Sequence, residues 1–274
     1  MSAKPLGLIA GKGRLPALFI AEASARGLEV AVVTFDKESL DALSLLTPNV
    51  RMLGLGQAGA LIKAFKESGA VEITLLGKVD KRALFEKPIL EMFDLRAVSV
   101  IKNLDFQNDD AVMAAIVLEL EKEGFKVVNQ VQFMEKHMPG AGHLAGRRPD
   151  ERELEDIEFG MRMARGIAAL DIGQTVVVKD RAVLAVEAIE GTDETIERGG
   201  RIAGPGAVVC KVSKPNQDSR FDIPTVGPGT VEIMAAHGAS ALSVEAGRTL
   251  VVDIASIAEI CGRHGISFTA QDIK

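Results

Sequence analysis

Leu6-Gly7-Leu8-Ile9-Ala10-Gly11-Lys12-Gly13-Arg14-Leu15-Pro16 opens the chain with an apolar run that breaks at two glycines and resumes at a proline. Five apolar or small residues in a row suit a strand buried on both faces, and Pro16 suits the first turn of a helix because its missing N–H has no intrahelical partner there. Pro16 to Arg26 has helical spacing and Leu28 to Phe35 is a β-branched run, so the opening reads as a βαβ unit. Gln57 to Ser68 reads as a further helix and Val71 to Leu76 as another buried strand, which extends the pattern to a parallel sheet covered on both faces.

The second quarter continues with helices at about Ile89 to Lys102 and Asp110 to Glu123, the latter capped by Asn108-Asp109-Asp110, and a strand at Phe125 to Phe133. His137 to Pro149 is dense in Gly and Pro and has no periodicity. The domain boundary is placed there, giving a parallel-sheet α/β domain over 1–138 and a mixed α+β domain over 139–274. In the second half, a helix from about Asp150 to Ala168 precedes strands at Gln174 to Val178 and Ala182 to Ala188. These are joined as an antiparallel hairpin through Lys179-Asp180-Arg181. A short helix near Thr192 to Gly199, a strand Ala207 to Val212, a helix Thr230 to His237, a hairpin around Glu245 to Arg248 and a helix Ile254 to His264 complete the expectation.

Composition narrows the function. The 274 residues carry a net charge of −6, no Trp and no Tyr, which argues against capture of nucleic acid by charge or by base stacking. Two distant cysteines, Cys210 and Cys261, read as buried free thiols of a reducing compartment. The first apolar run is too short for a signal peptide and no later one approaches a membrane span, so a cytoplasmic protein is expected. Four histidines without zinc-type companions and no Gly-x-Ser-x-Gly elbow disfavour zinc and serine hydrolases.

Three places could carry chemistry. Gly11 and Gly13 match two glycines of a dinucleotide fingerprint whose third is replaced by Pro16, and Asp36 stands where a ribose hydroxyl would be met. A ligand-free tight turn and a nucleotide-cofactor oxidoreductase or nucleotide-sugar sensor are the competing readings. At Val186 to Asp193 an apolar strand empties into carboxylates at a glycine turn: Glu187 interrupts a face of small apolar residues, while Thr192 can cap the helix that Asp193 and Glu194 begin. At Arg220 to Thr230 an acid, Asp222, precedes a Gly227-Pro228-Gly229 loop entering a helix, with Lys211, Lys214 and Arg220 near enough in sequence to offset phosphate charge.

Gly7-Leu-Ile-Ala-Gly-x-Gly-x-Leu-Pro16, Leu170-Asp-Ile-Gly-Gln174, Val183 to Asp193, Lys211-x-x-Lys-Pro215 with Gln217, and Asp222-x-Pro-Thr-x-Gly227 occur in that order across nearly the whole chain. In combination they resemble the LpxI family of UDP-2,3-diacylglucosamine pyrophosphatases. The resemblance implies Mg²⁺-dependent hydrolysis of UDP-2,3-diacylglucosamine to 2,3-diacylglucosamine 1-phosphate (lipid X) and UMP in the cytoplasm of a Gram-negative cell. It also implies a substrate enclosed by a Rossmann-like domain and a family-specific domain, and an essential aspartate at Asp222. On that basis Asp222, Glu187 and Lys214 are the catalytic candidates, and Asp222, Glu187 and Asp193 the Mg²⁺ ligands. The substrate-binding candidates are Gly11, Gly13, Gly77, Asp109, Asp110, Asp171, Gln174, Glu190, Gly191, Thr192, Lys211, Thr225 and Gly227. A doubly acylated substrate calls for a weak peripheral encounter with the inner membrane, and the resemblance leaves room for a homo-oligomer.

Overall fold

The computed structural model describes residues 4–79, 93–101, 109–215, 217–220 and 223–273. The described chain falls into two compact units, Met1–Met134 with Ser219–Phe221, and Glu135–Asp218 with Asp222–Lys274.

In the first unit, β1 (Leu6–Ala10), β2 (Val30–Thr34), β3 (Val50–Met52), β4 (Glu72–Leu76) and β5 (Lys126–Val127) form one sheet in the order β3-β2-β1-β4-β5. Every pairing in it is parallel. All five residues of β1 and of β2 are buried, the signature of strands covered on both faces. The sequence calls for this α/β layering, and α1 (Leu15–Ala25), α2 (Lys37–Ser44), α3 (Ala58–Ser68), α4 (Leu95–Ile101) and α5 (Asp109–Lys122) supply the covering helices. Phe65 and Phe125 meet edge to face, with centroids 6.3 Å apart, inside a core that also holds Ile9, Val33, Ile73 and Leu120. Strand order reverses between β1 and β4, where open α/β sheets place their ligands.

Two expectations in this half change. The strand expected over Phe125 to Phe133 is two residues long, because Asn129 turns the chain by accepting from the Val131 N–H at 2.9 Å and the following residues coil into a 3₁₀ turn at Glu135–His137. Of the helix expected from Ile89 to Lys102, Leu95–Ile101 is described, and its earlier part lies outside the described residues.

The second unit is built on a six-stranded sheet ordered β6-β13-β11-β9-β7-β8, from β6 (Gly142–Gly146), β7 (Thr175–Lys179), β8 (Ala182–Val186), β9 (Ala207–Lys211), β11 (Ala239–Glu245) and β13 (Ser267–Gln271). Its middle strands β9, β11 and β13 run parallel, while β6, β7 and β8 are antiparallel to their neighbours. Helix α6 (Glu151–Ala169) packs Ile157, Met161 and Ala164 on one face against Val176, Val208 and Cys210. Helices α7 (Thr192–Ala203), α8 (Pro228–Ala236) and α9 (Ile254–His264) cover the other face with Ile196, Val231, Met234 and Ile257. Both cysteines are free and buried there; burial pushes the Cys261 thiol up to about 11 and Cys210 higher still, so neither is a nucleophile at neutral pH.

The β7–β8 hairpin is as the sequence reads. Asp180 and Arg181 both take positive φ, 52° and 58°, and their N–H groups donate to the buried Asp156 carboxylate at 3.0 and 2.6 Å. The hairpin expected around Glu245 to Arg248 is not formed. β11 is a central strand paired parallel on both sides, and β12 (Leu250–Val251) pairs instead with β10 (Thr225–Val226) in a separate two-stranded sheet. The seven-residue buried run of β11 favours a central strand over half of a hairpin. The Gly-rich stretch read as aperiodic contains β6, an edge strand held by β13.

Candidate functional site

Because β7 runs opposite to both β8 and β9, the end of β8, the start of β7 and the end of β9 lie together at one edge of the second sheet. Lys211 and Thr175 are register partners across β9 and β7, and the Glu187 N–H extends the β8 ladder by donating to Thr175 O at 2.8 Å. This edge receives α7 as well, since Gly191, at φ 85°, turns the chain from β8 into that helix.

The side chains there form one network. The Lys211 ammonium, on a residue 7% exposed, donates to the Thr192 hydroxyl at 2.7 Å and to the Thr175 hydroxyl at 3.4 Å, and stands 3.9 Å from Glu187 Oε2. The Thr192 hydroxyl donates in turn to Glu187 Oε1 at 2.8 Å, and the Gln174 N–H donates to Glu187 Oε2 at 3.3 Å. A buried ammonium and a carboxylate bridged by a hydroxyl are stable together and costly apart. Thr192 is therefore not the helix cap that the sequence allows; Gly191 takes that position, and the threonine links acid and base.

Gly173 makes this approach possible. A methyl at Gly173 would run into the Glu187 carbonyl oxygen, with its carbonyl carbon 2.6 Å and its Cβ 3.1 Å away, so a glycine is needed wherever Glu187 is to reach Gln174. One residue on from Lys211, Val212 N–H donates to Gln174 O at 2.9 Å, which ties the Leu170 to Gln174 motif to the lysine-bearing loop. Lys214 in that loop pairs with Asp171 at 2.6 Å, and Asp171 sits in the left-handed region at φ 58°. Lys214 N–H and Ser213 Oγ both donate to Gln217 Oε1, the former at 2.9 Å. Gln174 Oε1 and Gln217 Nε2 are buried with no hydrogen-bond partner among the described residues, an arrangement that a bound polar group would relieve.

Other candidates are placed elsewhere. Glu190 is engaged by Arg198 at 2.5 Å and accepts from the Ala188 N–H at 3.2 Å; backbone hydrogen bonds and the Arg198 guanidinium hold its carboxyl below the usual range. It does not share the Glu187 network. Asp193 is exposed in the first turn of α7, where the helix dipole accounts for an acid. Thr225, whose hydroxyl donates to Ile223 O at 3.1 Å, lies in β10, and Gly227 caps the start of α8 with extended backbone at φ −138°. Asp222 lies outside the described residues, as does Asn108; Asp109 and Asp110 open α5, and only their backbone is described.

In the first unit, Gly11 and Gly77 are explained by packing. A Cβ on Gly11 would stand 2.5 Å from Lys78 O, and one on Gly77 would stand 2.7 Å from Gly11 O. The two loops are tied by Lys12 N–H to Lys78 O at 2.7 Å and Lys78 N–H to Lys12 O at 2.9 Å. Gly13, at φ 105°, faces open space. Asp36 caps α2, accepting from Ser39 N–H and Ser39 Oγ at 2.9 Å each. That occupies the acid expected to meet a ribose.

The donors for a divalent cation are few. Among the described residues no three His, Cys, Asp or Glu side chains gather to hold a metal ion. Glu187 is the one network carboxylate, already bonded on both oxygens. Mg²⁺ is often held by one or two carboxylates together with substrate phosphates, and Glu187 fits such a shared ion, whereas the described residues alone form no cage.

One residue of the neighbourhood escaped the sequence reading. Glu245, 4% exposed at the end of β11, accepts from the Ser213 N–H at 2.8 Å beneath the lysine loop. Its signal was the one that marks Glu187, an apolar run ending in an acid.

Residues 5–137 match the LpxI N-terminal domain and residues 140–269 the LpxI C-terminal domain. The chain is 34% identical over 264 residues to UDP-2,3-diacylglucosamine pyrophosphatase LpxI of Caulobacter vibrioides, covering 91% of each. The biotin carboxylase subunit of pyruvate carboxylase is 12% identical with a TM-score of 0.29, over 73% of this chain and 42% of that one. The biotin carboxylase domain of Hydrogenobacter thermophilus 2-oxoglutarate carboxylase is 12% identical with a TM-score of 0.27, over 65% and 35%. Likeness that low carries no argument, whereas the two domain matches and the full-length relative do: the chain belongs to the LpxI family.

Proposed function

We propose that this hydrolase cleaves the pyrophosphate of UDP-2,3-diacylglucosamine, the substrate in the name of its relative, releasing UMP and 2,3-diacylglucosamine 1-phosphate for lipid A synthesis. The observation that carries the reading is the buried Lys211 ammonium, held between two hydroxyls and 3.9 Å from Glu187 at a sheet edge. Pyrophosphate hydrolysis needs charge offset on phosphoryl oxygens, an aligned water and a stabilised leaving phosphate. Lys211 and Lys214 supply positive charge, and the free N–H groups at the start of α7, behind Gly191, supply oriented donors. Gln174 Oε1 and Gln217 Nε2 offer an acceptor and a donor for a sugar or phosphate group.

Glu187 and Asp222 are the acids assigned to water alignment and to Mg²⁺. When bound, Mg²⁺ would neutralise developing charge on the diphosphate. Within the network, Thr192 bridges the Glu187 carboxylate to Lys211, which holds the carboxylate in place to align a water. The acyl chains call for peripheral contact with a membrane. No helix among the described residues is long and apolar enough to cross one.

UMP release from UDP-2,3-diacylglucosamine, followed with Mg²⁺ or with EDTA, tests the reading beside Asp222→Ala. Release that needs the metal and is lost in the variant is expected. Full release by Asp222→Ala would remove that acid from the mechanism.

A further inference from the structure

We propose that Glu245 is a positioning residue for Lys214, acting through the loop that carries it; this rests on the proposed reaction. Glu245 closes β11 and is aligned with Gln271 of β13, while the preceding Val244 is aligned with Lys211 of β9. Its carboxylate is thus placed directly beside the strand from which the lysine loop leaves. Oε2 accepts from the Ser213 N–H at 2.8 Å, between the two lysines in sequence. Oε1 faces two guanidiniums, Arg165 Nη1 at 3.4 Å and Arg248 Nε at 3.7 Å. Arg248 then reaches over and donates from Nη2 to the Lys214 carbonyl at 3.0 Å.

The loop is accordingly held at two successive residues by one acid, at Ser213 directly and at Lys214 through Arg248. Gln217 closes the same turn from inside by accepting from Ser213 Oγ and the Lys214 N–H. Three features separate this from an ordinary core ion pair. The carboxylate is buried, while its partners Arg165 and Arg248 are 37% and 39% exposed at the side chain. A surface pair could have been formed without burying the acid, so its position is explained by the Ser213 N–H it satisfies. The held segment bears no large apolar side chain after Val212, so packing alone does not define it. The lysine it carries is partly exposed and paired to Asp171, a residue in the left-handed region, so its direction depends on where the loop lies.

The test uses Glu245→Gln, which keeps an oxygen for the Ser213 N–H but withdraws the charge from both guanidiniums. It is paired with Lys214→Ala and with the double variant. Turnover of UDP-2,3-diacylglucosamine is read together with affinity for inorganic pyrophosphate by calorimetry, which needs no catalysis. Glu245→Gln is expected to lower kcat/KM and pyrophosphate affinity by about tenfold each, the scale of one misplaced charged contact. In the Lys214→Ala background the same change is expected to cost less than about twofold, since interacting residues are not additive. A stability role alone would lower the melting temperature and leave the coupling at zero.

Losses that multiply independently, or no loss from Glu245→Gln, would overturn the proposal while leaving the hydrolysis reading intact. If the wild type binds pyrophosphate but releases no UMP, the hydrolysis reading falls and the affinity cycle still decides the role of Glu245. If the wild type does not bind pyrophosphate, the proposal falls too.

Discussion

Lys211 shows why a charge can be buried at a strand end. Oxygens from three different elements approach its ammonium: Thr175 from β7, Thr192 from α7 and Glu187 from the turn after β8. Replacing it with methionine keeps the length of the side chain and removes the charge, leaving Glu187 without its cation. A fall in kcat/KM of at least about a hundredfold is expected, as for loss of one positioned charge on a transferring phosphoryl group. Steady-state kinetics with equal activity in Lys211→Met would remove this residue from the chemistry. Gly173 gives a second expectation at the same scale. Gly173→Ala must push back the Glu187 backbone, so it should lower kcat/KM by about tenfold or more and destabilise the fold, and an alanine variant with wild-type kinetics would show that Glu187 need not sit where it does. The sequence reading of Glu187 rested on its break in an apolar face, and the structure sets that carboxylate 3.9 Å from the Lys211 ammonium. The Thr192 hydroxyl was harder to read, because a threonine before two acids at a helix start carries the same signal whether it caps the helix or bridges to a strand.

Among the elements, the local ones were legible and the paired ones were not. The β7–β8 hairpin is set by its own turn and by Asp156 beneath it. Strand β6 depends on β13, more than a hundred residues later, and its Gly-rich sequence lacks the side-chain alternation that would announce it. The turn after Glu245 resembles a hairpin locally, but β11 finds both partners elsewhere. An ion pair anchors the β6 end of the sheet: Arg147 makes two hydrogen bonds to Glu153, at 2.5 and 2.6 Å, and Ser240 Oγ adds a third at 2.5 Å. Burial raises the Glu153 carboxyl, but Arg147, Ser240 and the Asp150 N–H outweigh it and hold it below its ordinary 4.5. A depressed carboxyl stabilises the fold above the ordinary value and loses that contribution as pH falls through the lower, folded one. Glu153→Gln should therefore cost about 2 kcal/mol near neutral pH, allowing for the partly exposed arginine, with the difference from wild type narrowing below about pH 4. Thermal melts across that range check it; a gap that widens on acidification would contradict the sign.

At the scale of the molecule, each unit puts its polar loops at the carboxyl ends of its parallel strands, as open α/β sheets do. The parallel α/β layering of the first half and the mixed α+β character of the second were readable from apolar runs and turn signals. The lysine loop was readable only in part, because Lys211 and Lys214 announce themselves as charges while the acid that holds them, Glu245, lies thirty residues on and meets them through a parallel register. The Lys211, Thr192 and Glu187 network is proposed to hydrolyse a nucleotide-sugar pyrophosphate. Its most direct test is UMP release from UDP-2,3-diacylglucosamine by the wild type and by Glu187→Gln, with the folded state of both checked by thermal melting. Release by the wild type and a loss of at least about a hundredfold in a folded Glu187→Gln are expected; undiminished release by the folded variant would contradict the claim.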